Sequence, residues 1–270
     1  MRVIVTRPEP DAQVWVEALR QHGIAAVALP LISVSPLADT SSLRIAWQHM
    51  GDYTALMFVS RSAVEHFFAA RPPSGPTLGA DGAPRPRCWA TGPGTSAALL
   101  QHGVDAHRID APATDSGQFD SEALWQVVAP AVDAGTRVLI VRGDDDVAPA
   151  GVDPADPGRG YGRDWLAQHV LQAGAQVEFL VVYRRGVPEF GLRVRELARD
   201  AARDGSVWLF TSAQAVANLG AGMPHLDWSG ARAIATHARI AAAARAAGFG
   251  VVSQSRPSVS DVVASIESIA

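Results

Sequence analysis

The run Arg2-Val3-Ile4-Val5-Thr6-Arg7 returns in the second half of the chain as Arg137-Val138-Leu139-Ile140-Val141-Arg142, with the same spacing between its first and last arginines. Each copy reads as a buried strand, because a short continuous apolar run bounded by polar residues suits a strand covered on both faces. An amphipathic helix stopped by glycine follows each, about Asp11 to His22 before Gly23 and Gly162 to Ala173 before Gly174. Runs rich in apolar and β-branched residues come next, Ile24 to Val34 and Ala175 to Tyr183, and both read as strands. Phe58-Val59-Ser60-Arg61-Ser62-Ala63-Val64 then parallels Phe210-Thr211-Ser212-Ala213-Gln214-Ala215-Val216. Likewise Ala90-Thr91-Gly92-Pro93-Gly94-Thr95-Ser96-Ala97 parallels Ala235-Thr236-His237-Ala238-Arg239-Ile240-Ala241, and each copy closes with a short helix beginning near Ser121 or Ser260. A chain that repeats strand and helix in this order predicts an α/β fold of two similar lobes, each with a parallel sheet flanked by helices.

At 270 residues the chain has room for two cores of ordinary domain size. Hydrophobic residues make up 48% and charged residues 19%, a globular balance, and no apolar run approaches the ~18 residues of a membrane helix. A soluble protein without a membrane partner is expected. Met1 to Pro8 reads as a first strand rather than a signal peptide, and a single cysteine, Cys88, allows no disulfide within the chain; both features predict a cytoplasmic protein. All 23 basic residues are arginine. Without lysine there is no Schiff base to a carbonyl substrate or pyridoxal phosphate, and no P-loop lysine for nucleotide phosphates. A formal charge of −4 argues against a nucleic-acid partner. An anionic ligand has then to be met by local arginines and backbone N–H groups.

Parallel sheets bind ligands beyond the carboxyl ends of their strands, where helix N-termini present free N–H groups. Ser60, Thr95 and Ser212 fall at such junctions, as N-caps that leave neighbouring N–H groups free for a carboxylate. His237 takes the corresponding helix start in the second copy. Arg7 and Arg142 end matching strands and offer guanidinium forks. Tyr183 closes the strand from Phe179 and is the best candidate acid or hydrogen-bond donor. Gly92-x-Gly94-x-x-Ala97, with Asp110 further on, formally matches the dinucleotide fingerprint, yet it comes late in its half and its second copy lacks the glycines. No two of the histidines lie three or four residues apart, so no helical metal site follows, and the triplet Asp144-Asp145-Asp146 lacks further spaced oxygen ligands. Ser60 and Ser212 lack a nucleophile elbow, and Cys88 reads as a buried structural thiol. The Pro/Gly-rich run Arg71 to Arg87 and the stretch Asp144 to Gly162 read as surface excursions.

Taken in order, Val5-Thr6-Arg7-Pro8, Leu29-Pro30-Leu31-Ile32, Phe58-Val59-Ser60, Gly92-Pro93-Gly94-Thr95, Val182-Tyr183-Arg184 and Phe210-Thr211-Ser212 resemble the uroporphyrinogen-III synthase family nearly end to end. The resemblance implies a cofactor-free, metal-free lyase of porphyrin (haem) biosynthesis. Such an enzyme closes the linear tetrapyrrole hydroxymethylbilane with loss of water, through an azafulvene and a spiro intermediate, and inverts the last pyrrole ring. The bilane also closes unaided, to the wrong isomer. The resemblance further implies two lobes joined by two extended crossing strands, with the substrate in the cleft between them. One lobe is then about 1–35 with 184–270, the other about 38–180, and the crossing strands about 32–37 and 178–183. Tyr183 is matched to departure of the hydroxyl, and Ser60, Thr95 and Ser212 to the cleft wall. With Arg7, Ser62, Gly92, Arg142, His237 and Arg239 they make up the expected substrate-binding set. A monomer is expected, in transient contact with the preceding pathway enzyme. Ile240 stands where many relatives carry threonine, with Arg239 offering charge beside it. Ser62 stands where some relatives carry arginine, which here is Arg61. Two other readings are a noncatalytic two-lobed polycarboxylate-binding module and a nucleotide-dependent enzyme using the Gly92 loop.

Overall fold

A computed structural model describes residues 1–73, 78, 86–113, 119–145 and 162–269. In chain order the first half runs β1 (Val3–Val5), α1 (Asp11–Gln21), β2 (Ala26–Ala28), β3 (Ser33–Pro36), α2 (Ser41–Gln48), β4 (Ala55–Phe58), α3 (Arg61–Ala69), β5 (Arg87–Ala90), α4 (Pro93–Gln101), β6 (Ile109–Asp110) and α5 (Ser121–Val128). The second half runs β7 (Arg137–Asp145), α6 (Gly162–Gln172), β8 (Gln176–Gly186), α7 (Leu192–Ala201), β9 (Val207–Phe210), α8 (Ala213–Gly222), β10 (Arg232–Ala235), α9 (Ala238–Ala246), β11 (Val251–Gln254) and α10 (Val259–Ser268). The contacts divide the chain into two units, Met1–Val34 with Gly186–Ala270, and Ser35–Arg185.

Unit 1 is built on a five-stranded sheet in the order β11-β10-β9-β1-β2, parallel throughout. Period-two alternation sends Ile4, Trp208, Phe210, Ala233 and Ala235 into one core with side chains of α7, α8 and α9. Val3, Val5, Val207, Leu209 and Ile234 go into a second core with α1 and α10. Both faces are covered, which explains why the strands read as unbroken apolar runs.

Unit 2 repeats the arrangement. Its sheet runs β3-β8-β7-β4-β5-β6, and the pairings from β8 to β6 are parallel. Ala55, Met57, Trp89, Val138 and Ile140 pack with Leu124, Val128, Leu166 and Val170 of α5 and α6. Phe58 meets Phe67 of α3 edge-on at 5.5 Å, and Trp47 stacks on the same ring at 4.6 Å. The duplicated sequence takes equivalent places, since β2-β1-β9-β10-β11 in one sheet corresponds to β8-β7-β4-β5-β6 in the other. The helices after β1 and β7 both end before a glycine in the left-handed region, Gly23 at φ +75° and Gly174 at φ +86°, where a Cβ is disfavoured.

Two sequence expectations need correcting. Ile24 to Val34 is not one strand: β2 is an edge strand whose one partner, β1, ends at Val5 opposite Ala28, and the chain passes on through Leu29 to Ile32 to β3 in the other sheet. Tyr183 does not close its strand, because β8 continues to Gly186 and stays paired with β7 through Arg185. Of the acidic triplet, Asp144 and Asp145 belong to β7, whereas Asp146 lies outside the described residues, as do most of the two surface excursions.

Candidate functional site

The carboxyl edge of the unit 2 sheet gathers candidates from four adjacent strands, β8, β7, β4 and β5. Ser60 follows β4 with extended backbone and caps α3, its Oγ accepting the Ala63 N–H at 3.2 Å. That same Oγ lies 3.2 Å from the Tyr183 hydroxyl, which belongs to β8 on the far side of β7. Tyr183 is only 2% exposed. Its ring lies over Gly143 of β7, and His66 of α3 stands beside it with ring centroids 5.3 Å apart. The His66 Nδ1 is 2.9 Å from the Ser62 carbonyl, and since a carbonyl only accepts, Nδ1 carries the proton. With the Oγ already accepting one N–H, its own proton is available to the Tyr183 oxygen.

At the next strand end Gly92 caps α4, and Pro93 occupies the first helical position, where its missing N–H is no loss. Thr95 is therefore not an N-cap; it is the third residue of the helix, 5% exposed, with its N–H bonded to the Gly92 carbonyl. Among the described residues its hydroxyl has no hydrogen-bond partner. The Gly92 backbone is extended, a conformation open to any residue, and a Cβ there would fall a tight 3.0 Å from that of Phe119. Arg142 lies inside β7 rather than at its end, its guanidinium 4.5 Å from the centroid of the Phe179 ring. The Asp110 carboxylate is held by Arg87 through Nε at 2.5 Å and Nη2 at 2.6 Å. It is thus occupied, and the dinucleotide reading loses its ribose ligand. A depression of about 590 Å³ opens at the opposite, amino edge of this sheet, lined by Asp52, Tyr53, Arg87 and Arg108 among others. The commitment of Arg87 to Asp110 and the rule that parallel sheets bind at carboxyl ends both favour the Tyr183 edge.

The remaining candidates lie at the carboxyl edge of the unit 1 sheet. Arg7 follows β1, its Nη2 paired to Asp11 at 3.2 Å and its guanidinium 5.3 Å from the Trp15 ring. Its buried Nε has no hydrogen-bond partner among the described residues. Ser212 follows β9 and caps α8 by accepting the Gln214 N–H at 3.2 Å. His237 follows β10 and caps α9, where a ring nitrogen accepts the Arg239 N–H at 3.2 Å and so carries no proton itself. Ile240 is buried in the core of this unit, so the residue at that position points away from solvent.

Sequence reasoning missed Gly143 and His66, because neither belongs to a spaced motif. Only the placement of the Tyr183 ring singles them out. Cys88 is buried, and burial pushes its thiol up to about 12, which keeps it protonated and inert. Among the described residues no group of three metal-ligating side chains occurs, and no helix is long and apolar enough to cross a membrane.

A family model described as Uroporphyrinogen-III synthase HemD matches residues 13–152 and 158–264. The chain is 28% identical over 143 residues to the uroporphyrinogen-III synthase of Chlorobaculum parvum, a match covering 52% of each protein, so it spans about half the length of that relative. To the uroporphyrinogen-III synthase of Escherichia coli K12 it is 27% identical over 222 residues, 81% of this chain and 78% of that one. The crystal structure of uroporphyrinogen-III synthetase from Helicobacter pylori 26695 is similar over the whole of both chains, with a TM-score of 0.57 at 15% identity, which is a likeness of fold.

Proposed function

Because the chain belongs to the uroporphyrinogen-III synthase family, we propose that it is a cytoplasmic, monomeric lyase that closes hydroxymethylbilane to uroporphyrinogen III. The observation that carries the reading is the 3.2 Å contact between the Tyr183 hydroxyl and the Ser60 cap at the carboxyl edge of a parallel sheet. Tyr183 gives its proton to the hydroxymethyl oxygen of the substrate. The carbon–oxygen bond breaks with its electrons going to that oxygen, and water leaves. The adjoining pyrrole nitrogen supplies electrons to the carbon and returns its N–H proton to the phenolate, so that a neutral azafulvene results and the ring closes from there. Ser60 donates to the phenolate oxygen while its own Oγ accepts from the start of α3, whose dipole favours negative charge.

Much of the remaining work is positioning, since the bilane is reactive by itself. Carboxylates of the substrate are held by the free N–H groups and hydroxyls around Gly92, Thr95 and Ser62, and by Arg142. Ser212, His237, Arg239 and Arg7 offer donors of the same kind at the carboxyl edge of the unit 1 sheet, with arginine forks in place of lysines.

Incubation with enzymatically prepared hydroxymethylbilane tests the reading, and the product is expected to shift from isomer I to isomer III. Tyr183→Phe is expected to lower turnover on the order of a hundredfold while costing about 1 kcal/mol of folding stability. Tight binding of the bilane without any isomer shift favours the noncatalytic polycarboxylate module instead.

A further inference from the structure

We propose that Gly143 is a positioning residue for Tyr183, and that an irregularity between β7 and β8 brings the two together. The strands run in step from Arg137 opposite Gln176 to Arg142 opposite Val181; the next pair is Gly143 with Tyr183, which leaves Val182 as an extra residue. Had the step continued, Val182 would stand opposite Gly143 and Tyr183 opposite Asp144. A bulge of this kind re-aims a side chain, and it sets the phenol across the β7 backbone.

That crossing needs a residue without a side chain. A Cβ at Gly143 would lie 2.3 Å from Cε2, 2.4 Å from Cζ and 2.9 Å from Cδ2 of Tyr183, against the ~3.5–4.0 Å of an ordinary carbon contact. The two closest atoms are at the hydroxyl end of the ring. Gly143 is not among the glycines in the left-handed region, so its backbone conformation does not demand glycine, and the ring above it is the reason that remains. Tyr183 is buried, with the His66 ring beside it, and a displaced phenol would lose the Ser60 oxygen on β4.

This inference rests on the assignment of Tyr183 to the departing hydroxyl, and the test separates the two. Wild type, Tyr183→Phe, Gly143→Ala and the Gly143→Ala/Tyr183→Phe pair are assayed for isomer III formation from hydroxymethylbilane. Gly143→Ala is expected to lower kcat on the order of a hundredfold with KM within about twofold, and to have no further effect on kcat where Tyr183 is already phenylalanine. An unchanged kcat in Gly143→Ala, or a further fall in the pair, overturns the proposal while leaving Tyr183 in its role. Wild-type turnover in Tyr183→Phe alone removes Tyr183 from the chemistry, and Gly143 with it. If Gly143→Ala fails to fold, the Gly143→Ala/Tyr183→Ala pair decides, since it has no ring to displace. Melting within about 2 °C of Tyr183→Ala supports the proposal, whereas failure to fold in this pair too assigns the glycine to the backbone and overturns it.

Discussion

Glu178 accepts from Arg137 at 2.8 Å and from the Tyr53 hydroxyl at 2.9 Å, on the surface of unit 2. The Arg137 hydrogen bond, with Tyr53 second, holds its carboxyl below the ordinary value of 4.5. Burial and then the same carboxylate push Tyr53 up to about 12. A depressed carboxylate stabilises the fold above its unfolded value and ceases to do so as pH falls through the folded one. The raised phenol does the reverse, its contribution being complete below about 10 and lost as pH rises towards the folded value. Glu178→Gln is therefore expected to flatten the acid limb of a stability-versus-pH curve, and Tyr53→Phe the alkaline limb, as measured by urea titration. At this scale the caps were legible in the sequence, because a serine before an amphipathic run states its own geometry, as at Ser60 and Ser212. Gly143 was not, since its requirement comes from a ring placed there by a register irregularity rather than from its own backbone.

Asn218 shows how a side chain secures a segment beyond the end of its strand. It is a buried amide on α8 whose Nδ2 donates to the Leu31 carbonyl at 2.7 Å, while Gln214 donates to its Oδ1 at 2.8 Å. Leu31 lies past the end of β2, where its N–H still bonds the Thr6 carbonyl at 3.3 Å and a side chain from a helix takes up its carbonyl. Asn218→Leu leaves that carbonyl without its donor and is expected to destabilise the protein by roughly 1–3 kcal/mol in chemical denaturation. Neither the end of β2 nor this amide could be read from local pattern, since apolar residues continue past Ala28 and the partner is 187 residues away. The long repeated runs behaved otherwise. Arg2 to Arg7 and Arg137 to Arg142 are apolar on both faces because helices cover both, and that coverage is what made them recognisable.

At the scale of the molecule, the repeated strand and helix order predicted two sheets of like design, and the sheets have it. Which segments share a unit is set by long-range pairing, such as Val3 beside Val207, that no local signal announces. Unit 2 is continuous in sequence and has its own core. A fragment spanning 33–186 is expected to unfold cooperatively by circular dichroism, with coincident far- and near-ultraviolet transitions. Unit 1 is in two pieces, and at the ~5–20 residues per second of synthesis β1 emerges roughly 10 to 40 s before β9, one of the two strands it lies between. Through that interval the ribosome has delivered a sticky apolar ribbon with one flank bare, so crowding and chaperone supply bear hardest on β1, made long before β9 can cover it.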